Sequence, residues 1–172
     1  MTTTLGTTTL VLGGARSGKS AHAEALFPQG GLYLATGEAR DDEMARRIRH
    51  HRDRRGPAWT TVEEPLDLAA ALGRAVAGGQ PVLIDCLTLW IANLMEAGRD
   101  VDAATAQLCG LLAVPPKRVV LVSNEVGLGL VPETPLGRAF RDHQGRVNQR
   151  VAAVCRRVVF VAAGLPLILK DT

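Results

Sequence analysis

Short β-rich runs alternate along this chain with longer stretches in which apolar residues recur every three or four positions. Runs over 7–12, 31–35, 59–62, 81–85 and 119–123 predict strands, and 158–162 and 165–169 predict two more, paired as a hairpin around Gly164. Helical periodicity marks 21–26, stopped by Pro28, and then 41–51, 66–76, 87–95 and 101–112. A last helix over 135–154 starts at Pro135 behind a Thr134 cap and carries Leu136, Phe140, Val147, Val151 and Val154 on its apolar face. Strands alternating with helices predict an α/β fold with a mostly parallel central sheet flanked by helices. The pattern has no internal repeat and no long linker.

At 172 residues the whole chain, 1–172, reads as one domain, with a polar N-terminal tail over about 1–7. Hydrophobic residues make up 47% and charged residues 22%, which excludes a disordered or fibrous chain. No apolar run approaches the ~20 residues of a membrane span. The opening Met1-Thr2-Thr3-Thr4-Leu5-Gly6 has neither a basic nor an apolar leader segment, so a cytoplasmic protein is expected. Cys86, Cys109 and Cys155 are far apart and form no C-x-x-C pair, so they read as small buried hydrophobes. Net charge is only +3, and the arginines bunch between Arg40 and Arg55, which points to an anionic ligand. Aromatics are 3% and none interleaves with that basic run, which removes the stacking platforms of a single-strand nucleic-acid binder.

Gly13-Gly14-Ala15-Arg16-Ser17-Gly18-Lys19-Ser20 fits G-x-x-x-x-G-K-[ST] and lies between a predicted strand and a predicted helix. In such a loop the backbone N–H groups turn toward phosphate oxygens, the lysine reaches the terminal phosphates, and the Ser20 hydroxyl is a Mg²⁺ ligand. With no V-A-I-K or D-F-G element, it is not a protein-kinase glycine loop. Asp85 closes a buried strand where the second Mg²⁺ carboxylate is expected; its competing role is to cap the helix near Leu87. Asn124-Glu125 ends another strand, with a site role and a packing role both open.

The segment Asp41-Asp42-Glu43-Met44-Ala45-Arg46-Arg47-Ile48-Arg49-His50-His51-Arg52-Asp53-Arg54-Arg55 is acidic at its start and basic at its end, as the helix dipole favours. As a metal site it is poor, because adjacent helical residues point ~100° apart and no H-x-x-x-H completes a ligand set. Met44, Ile48 and His51 share one face, with His50 beside Arg46 and Arg47 on the other, so His51 is the better chemical candidate. An imidazole among guanidiniums suits attack on phosphorus, and Arg52, Arg54 and Arg55 suit bidentate phosphate binding. The bland alternative is a solvated amphipathic helix.

These motifs, with Tyr33-Leu34-Ala35-Thr36, Asn124-Glu125-Val126-Gly127 and Gly145-Arg146-Val147-Asn148-Gln149-Arg150, resemble the bifunctional adenosylcobinamide kinase/adenosylcobinamide-phosphate guanylyltransferases of cobalamin biosynthesis, over about 11–170. The resemblance implies a RecA-like P-loop fold and two reactions. A nucleoside triphosphate, ATP or GTP, phosphorylates adenosylcobinamide; GTP then gives GMP to a histidine and on to adenosylcobinamide phosphate. It places the guanylylated histidine at His51, with Lys19 serving the P-loop. It places nucleotide contacts at Gly13 to Ser20, at Ala35, Thr36 and Gly37, at Arg52, Asp53, Arg54 and Arg55, and at Glu63 and Asp85. It further implies Mg²⁺ with the nucleotide, held by Ser20 and Asp85, no permanently bound cofactor, and a homotrimer with sites near subunit contacts. The chain departs from the family in a shorter 95–117 segment and in the glycine that follows Arg54-Arg55. A P-loop kinase for another small alcohol, and a nucleotide-switched binding module moving its Gly127 to Pro135 loop, are the competing functions.

Overall fold

A computed structural model describes residues 7–38, 46, 56–113 and 117–172. The predicted 41–51 helix, the His-His-Arg segment and the N-terminal tail lie outside them, except Arg46, which is helical and exposed. The elements in chain order are β1 (Thr8–Gly13), α1 (Lys19–Ala25), β2 (Gly31–Ala35), β3 (Trp59–Glu63), α2 (Leu68–Ala77), β4 (Val82–Asp85), α3 (Leu87–Glu96), α4 (Val101–Leu112), β5 (Val119–Asn124), α5 (Pro135–Val154), β6 (Arg157–Ala162) and β7 (Leu165–Asp171). One seven-stranded sheet orders them β3-β2-β4-β5-β1-β6-β7, parallel throughout except for the antiparallel β6–β7 hairpin.

Because helices cover both faces of the central strands, these strands read as continuous apolar runs rather than alternating ones. Their side chains still divide by parity. Leu10, Leu12, Leu34, Ile84 and Leu121 face the large cluster built with α2 to α5, around the buried Trp90. Val11, Tyr33, Leu83, Val120 and Val159 face the cluster on the side of α1. The edge strands β3 and β7 carry the exposed positions, including Val62, Leu165, Leu167 and Leu169.

Local chemistry explains the boundaries. The Thr134 hydroxyl accepts from Gly137 N–H at 3.1 Å and Pro135 opens α5, as expected. Asp100 caps α4 in the same way, accepting from Ala103 N–H at 2.9 Å. Two expectations change. Leu136 is 71% exposed rather than inward, because α5 meets the core only from the half-buried Phe140 onward and becomes fully buried at Gln144, Val147, Asn148 and Val151. Helix α2 begins at Leu68, two residues late, because Glu64 holds the N–H groups of Leu66 and Asp67 in a turn before it.

Cys86 and Cys155 are buried as expected, whereas Cys109 is only half-buried. Burial pushes the Cys86 thiol up from 9.0 to about 11, assisted by the Asp85 charge, and the Cys155 thiol up to about 12. The unfolded chain releases these protons first, so their contribution to stability is complete below pH 9 and is lost as pH rises through 11 to 12. The unfolding midpoint is expected to fall on raising the pH above 9, with a smaller slope in Cys155→Val. In the native protein at neutral pH, a thiol reagent is expected to modify Cys109 first; equal rates at all three sites would contradict the burial argument.

Candidate active site

Six parallel strands end at the same edge of the sheet, and the P-loop leaves β1 there. Gly13 is the last residue of β1, paired with Asn124 on one side and Val161 on the other. A Cβ on Gly13 would lie 2.6 Å from the Val161 carbonyl oxygen, so only glycine lets the chain exit between two neighbours. Helix α1 starts at Lys19, inside the motif and two residues earlier than its periodicity predicts, because Gly18 takes the N-cap position with φ 94°. The first-turn N–H groups of α1 and its dipole therefore face the loop, an arrangement suited to anionic phosphate.

Lys19 Nζ donates to Gly14 O at 2.9 Å, bridging the loop. An ammonium has three donors, so two remain for a phosphate. Burial pulls the Lys19 amine below the ordinary lysine range, and Cys86 and then the Asp85 carboxylate oppose that shift. The fold thus sets Lys19, at the start of α1, within electrostatic reach of Asp85 at the end of β4.

Asp85 is not the cap of α3: Cys86 occupies that position, and the Asp85 carboxylate instead accepts from the Tyr33 hydroxyl at 3.0 Å. Tyr33 is itself held edge-on to Trp59, with ring centroids 6.1 Å apart. Thr36 is fully buried, its hydroxyl donating to Cys86 O at 2.6 Å and accepting from Cys86 N–H at 2.9 Å. The Thr36 backbone is equally committed, its N–H to Asp85 O and its O to Asn93 Nδ2. Thr36 thus joins the ends of β2 and β4 and fixes the backbone that carries Asp85. Ser20 and Asp85 supply hard oxygen donors of the kind Mg²⁺ takes, which fits a nucleotide-borne ion. No cluster of three or more His, Cys, Asp or Glu side chains arranged for a metal occurs among the described residues.

The remaining predicted contacts are spread along the same edge. Ala35 ends β2, Thr36 and Gly37 follow it, and Glu63 ends β3 in register with Ala35. Strands sit ~4.8 Å apart, so these groups lie roughly 14 to 19 Å from the P-loop strand, three and four places across the sheet. His51, Arg52, Asp53, Arg54 and Arg55 lie outside the described residues.

A buried polar group beside the P-loop carries no signal in the sequence reading except as part of a family motif. Ser123 Oγ donates to Asn148 Oδ1 at 2.7 Å, Gln144 Nε2 donates to Ser123 Oγ at 2.8 Å, and Asn148 Nδ2 donates to Asn124 O at 3.1 Å. This network ties α5 to the end of β5, whose next residue, Glu125, donates its N–H to Gly13 O at 3.1 Å. The buried Gln144 Oε1 and Asn124 Oδ1 have no hydrogen-bond partner among the described residues. Spacing held the missing clue: Gln144, Val147, Asn148 and Val151 fall at i, i+3, i+4 and i+7, so two amides share the inward face with two valines.

Comparison with known proteins adds the identity of the site's lineage. Residues 9–169 match the family model described as cobinamide kinase / cobinamide phosphate guanyltransferase. The chain is 48% identical over 166 residues to the bifunctional adenosylcobalamin biosynthesis protein CobP of Pseudomonas aeruginosa, covering 94% of this chain and 96% of that protein. It is 43% identical over 178 residues to the bifunctional adenosylcobalamin biosynthesis protein CobU of Escherichia coli K12, covering 94% and 98%. Among solved structures it is similar to the P4 proteins of bacteriophages phi13 and phi6, the latter in complex with ADP, with TM-scores of 0.51 and 0.50 at 17% identity. The match covers 94% and 93% of this chain but only 53% and 52% of the phage proteins, so the chain spans about half their length and the likeness is one of fold, in agreement with a RecA-like P-loop domain. The two relatives matched nearly end to end, and the family model spanning 9–169, show that the chain belongs to the cobinamide kinase / cobinamide phosphate guanyltransferase family.

Proposed function

We propose that this protein catalyses both reactions itself, in the cytoplasm and as a homotrimer. It phosphorylates adenosylcobinamide and then converts the phosphate to adenosylcobinamide-GDP through a guanylyl-His51 intermediate. The observation that carries this is the near full-length match to relatives named bifunctional, in a chain whose P-loop lysine lies beside a strand-end carboxylate. Exposed Leu128, Leu130, Leu136, Leu165 and Leu167 supply apolar surface for contacts between copies.

In the kinase step the substrate hydroxyl oxygen attacks the γ-phosphorus of ATP or GTP, its proton leaves to solvent, and the bond to the bridging oxygen breaks to release the nucleoside diphosphate. Lys19 and the first-turn N–H groups of α1 hold the phosphates and oppose the charge gathering on them. Ser20 and Asp85 would hold Mg²⁺, which supplies charge neutralisation across the phosphates. In the transfer step an imidazole nitrogen of His51 attacks the α-phosphorus of GTP and pyrophosphate leaves. A phosphate oxygen of adenosylcobinamide phosphate then attacks the same phosphorus, the P–N bond breaks, and His51 is restored. Arg52, Arg54 and Arg55 are assigned to the triphosphate, which Lys19 alone cannot neutralise. Ala35, Thr36, Gly37 and Glu63 are assigned to the far end of the nucleotide, and Asp53 is assigned to nucleotide contact with the neighbouring arginines.

Intact-protein mass after incubation with Mg²⁺ and GTP is expected to show a GMP adduct that acid removes, since a phosphoramidate is acid-labile, and that maps to His51. His51→Ala is expected to lose the adduct and guanylyl transfer while keeping the kinase step; full transfer in that variant would overturn the assignment. Lys19→Ala should lower the kinase rate by about a hundredfold or more, as removal of a donor to developing charge does elsewhere. Normal phosphorylation in that variant would remove the P-loop from the mechanism. Tyr33→Phe deletes a hydroxyl that donates to Asp85, so the Mg²⁺ concentration for half-maximal kinase activity should rise about tenfold. An unchanged Mg²⁺ dependence would detach Asp85 from the metal.

A further inference from the structure

The β6–β7 hairpin ends against the P-loop. Ala162 pairs with Leu165, leaving a two-residue turn in which Ala163 has φ 52° and Gly164 φ 78°, the left-handed pair of a type I′ turn. The Gly164 N–H donates to the Ser17 carbonyl at 2.8 Å. A Cβ on Gly18 would come within 3.2 Å of the Gly164 Cα, so the two backbones are in direct contact.

We propose that the Ala163-Gly164 turn is a positioning element of the nucleotide site, which sets the orientation of the Ser17–Gly18 peptide; this rests on the P-loop binding the nucleotide. In a planar trans peptide the carbonyl and the following N–H point in opposite directions. Holding the Ser17 carbonyl on the hairpin therefore turns the Gly18 N–H away from it, into the concave side of the loop. The neighbouring groups are already committed: Ser17 N–H donates to Gly14 O at 3.3 Å, and Gly18 O accepts from His22 N–H at 3.0 Å. Gly18, freed of a Cβ, lets this peptide turn over at little steric cost. The hydrogen bond from Gly164 is the contact that selects one orientation, and it reaches the loop from the antiparallel edge of the sheet rather than from any residue of the motif.

The test inserts two glycines between Ala163 and Gly164, which keeps a hairpin connection but moves the donor off Ser17. The same insertion between Gly78 and Gly79, in the turn before β4 at the opposite end of the sheet, serves as the control. Binding of Mg²⁺-GTP is expected to weaken about tenfold in the first variant, with KM for the corrinoid acceptor unchanged, while the control loses stability without losing nucleotide affinity. Hydrogen exchange on the unaltered protein gives a second reading, since coupling between two sites is reciprocal. The Gly164 amide should exchange more slowly with Mg²⁺-GTP bound, while amides at the far end of β7 do not change. Nucleotide affinity unchanged by the hairpin insertion overturns the proposal. If that variant fails to fold, an unprotected Gly164 amide in the GTP-bound wild type overturns it instead. A wild-type protein that does not bind GTP would sink the proposed function, which keeps the two failures apart.

Discussion

The structure depends on β1 being held in parallel register between β5 and β6. That register places Gly13 level with Asn124 and Val161, so the chain leaves the sheet at a point where both neighbours still supply hydrogen bonds. Backbone groups that packing at this edge removes from water would otherwise go unsatisfied, at a cost of about 1–3 kcal/mol each. Here Gly13 O accepts from Glu125, Ser17 O accepts from Gly164, and Gly14 O accepts from Lys19 and Ser17. The Gly13 and Ser17 carbonyls turn to the scaffold, and that of Gly14 is satisfied within the loop. The N–H groups of the first turn of α1 are left for an anion.

The polar residues behind this edge serve the same constraint. Ser123, Gln144 and Asn148 are buried, and they occupy the place where α5 crosses the end of β5. An apolar substitute would pack there, but it would release Asn124 O and with it the position of Glu125 against Gly13. Thr36 acts alike on the other side, spending its hydroxyl on Cys86 so that β4 ends with Asp85 beside Lys19. The side chains of Ser123, Gln144, Asn148 and Thr36 thus hold strand termini in place.

How much of this was legible in the sequence follows from the range of the forces involved. The strands, the long helix with its Thr134 cap and Pro135 start, and the C-terminal hairpin were readable, because periodicity and capping are local. The loop over Gly13 to Ser20 between a strand and a helix was readable because its glycine spacing is itself a local signal. The partner of Asp85 was not, since Tyr33 lies 52 positions away and no spacing links the two. Leu136 was misplaced because helical periodicity gives the face of a helix, not where along its length the core begins. The contact of Gly164 with Ser17 joins a hairpin turn to a loop 147 positions earlier in the chain, and only the sheet order reveals it.

The breadth of the strand-end crevice bears on why one domain would serve two phosphoryl chemistries. The kinase reaction breaks a bond at the γ-phosphorus and the transfer reaction one at the α-phosphorus, and each requires its own in-line nucleophile. A compact pocket that fixed one phosphorus in line would misplace the other. Here the P-loop and Asp85 stand at the centre of the sheet, while Ala35, Gly37 and Glu63 stand three to four strands away along the same edge, with the segment carrying His51 joining β2 to β3. On the proposed function, that arrangement gives the γ-phosphorus a station at the P-loop. The histidine belongs to the stretch of sequence between β2 and β3, so the two reactions draw on one chain without sharing a nucleophile.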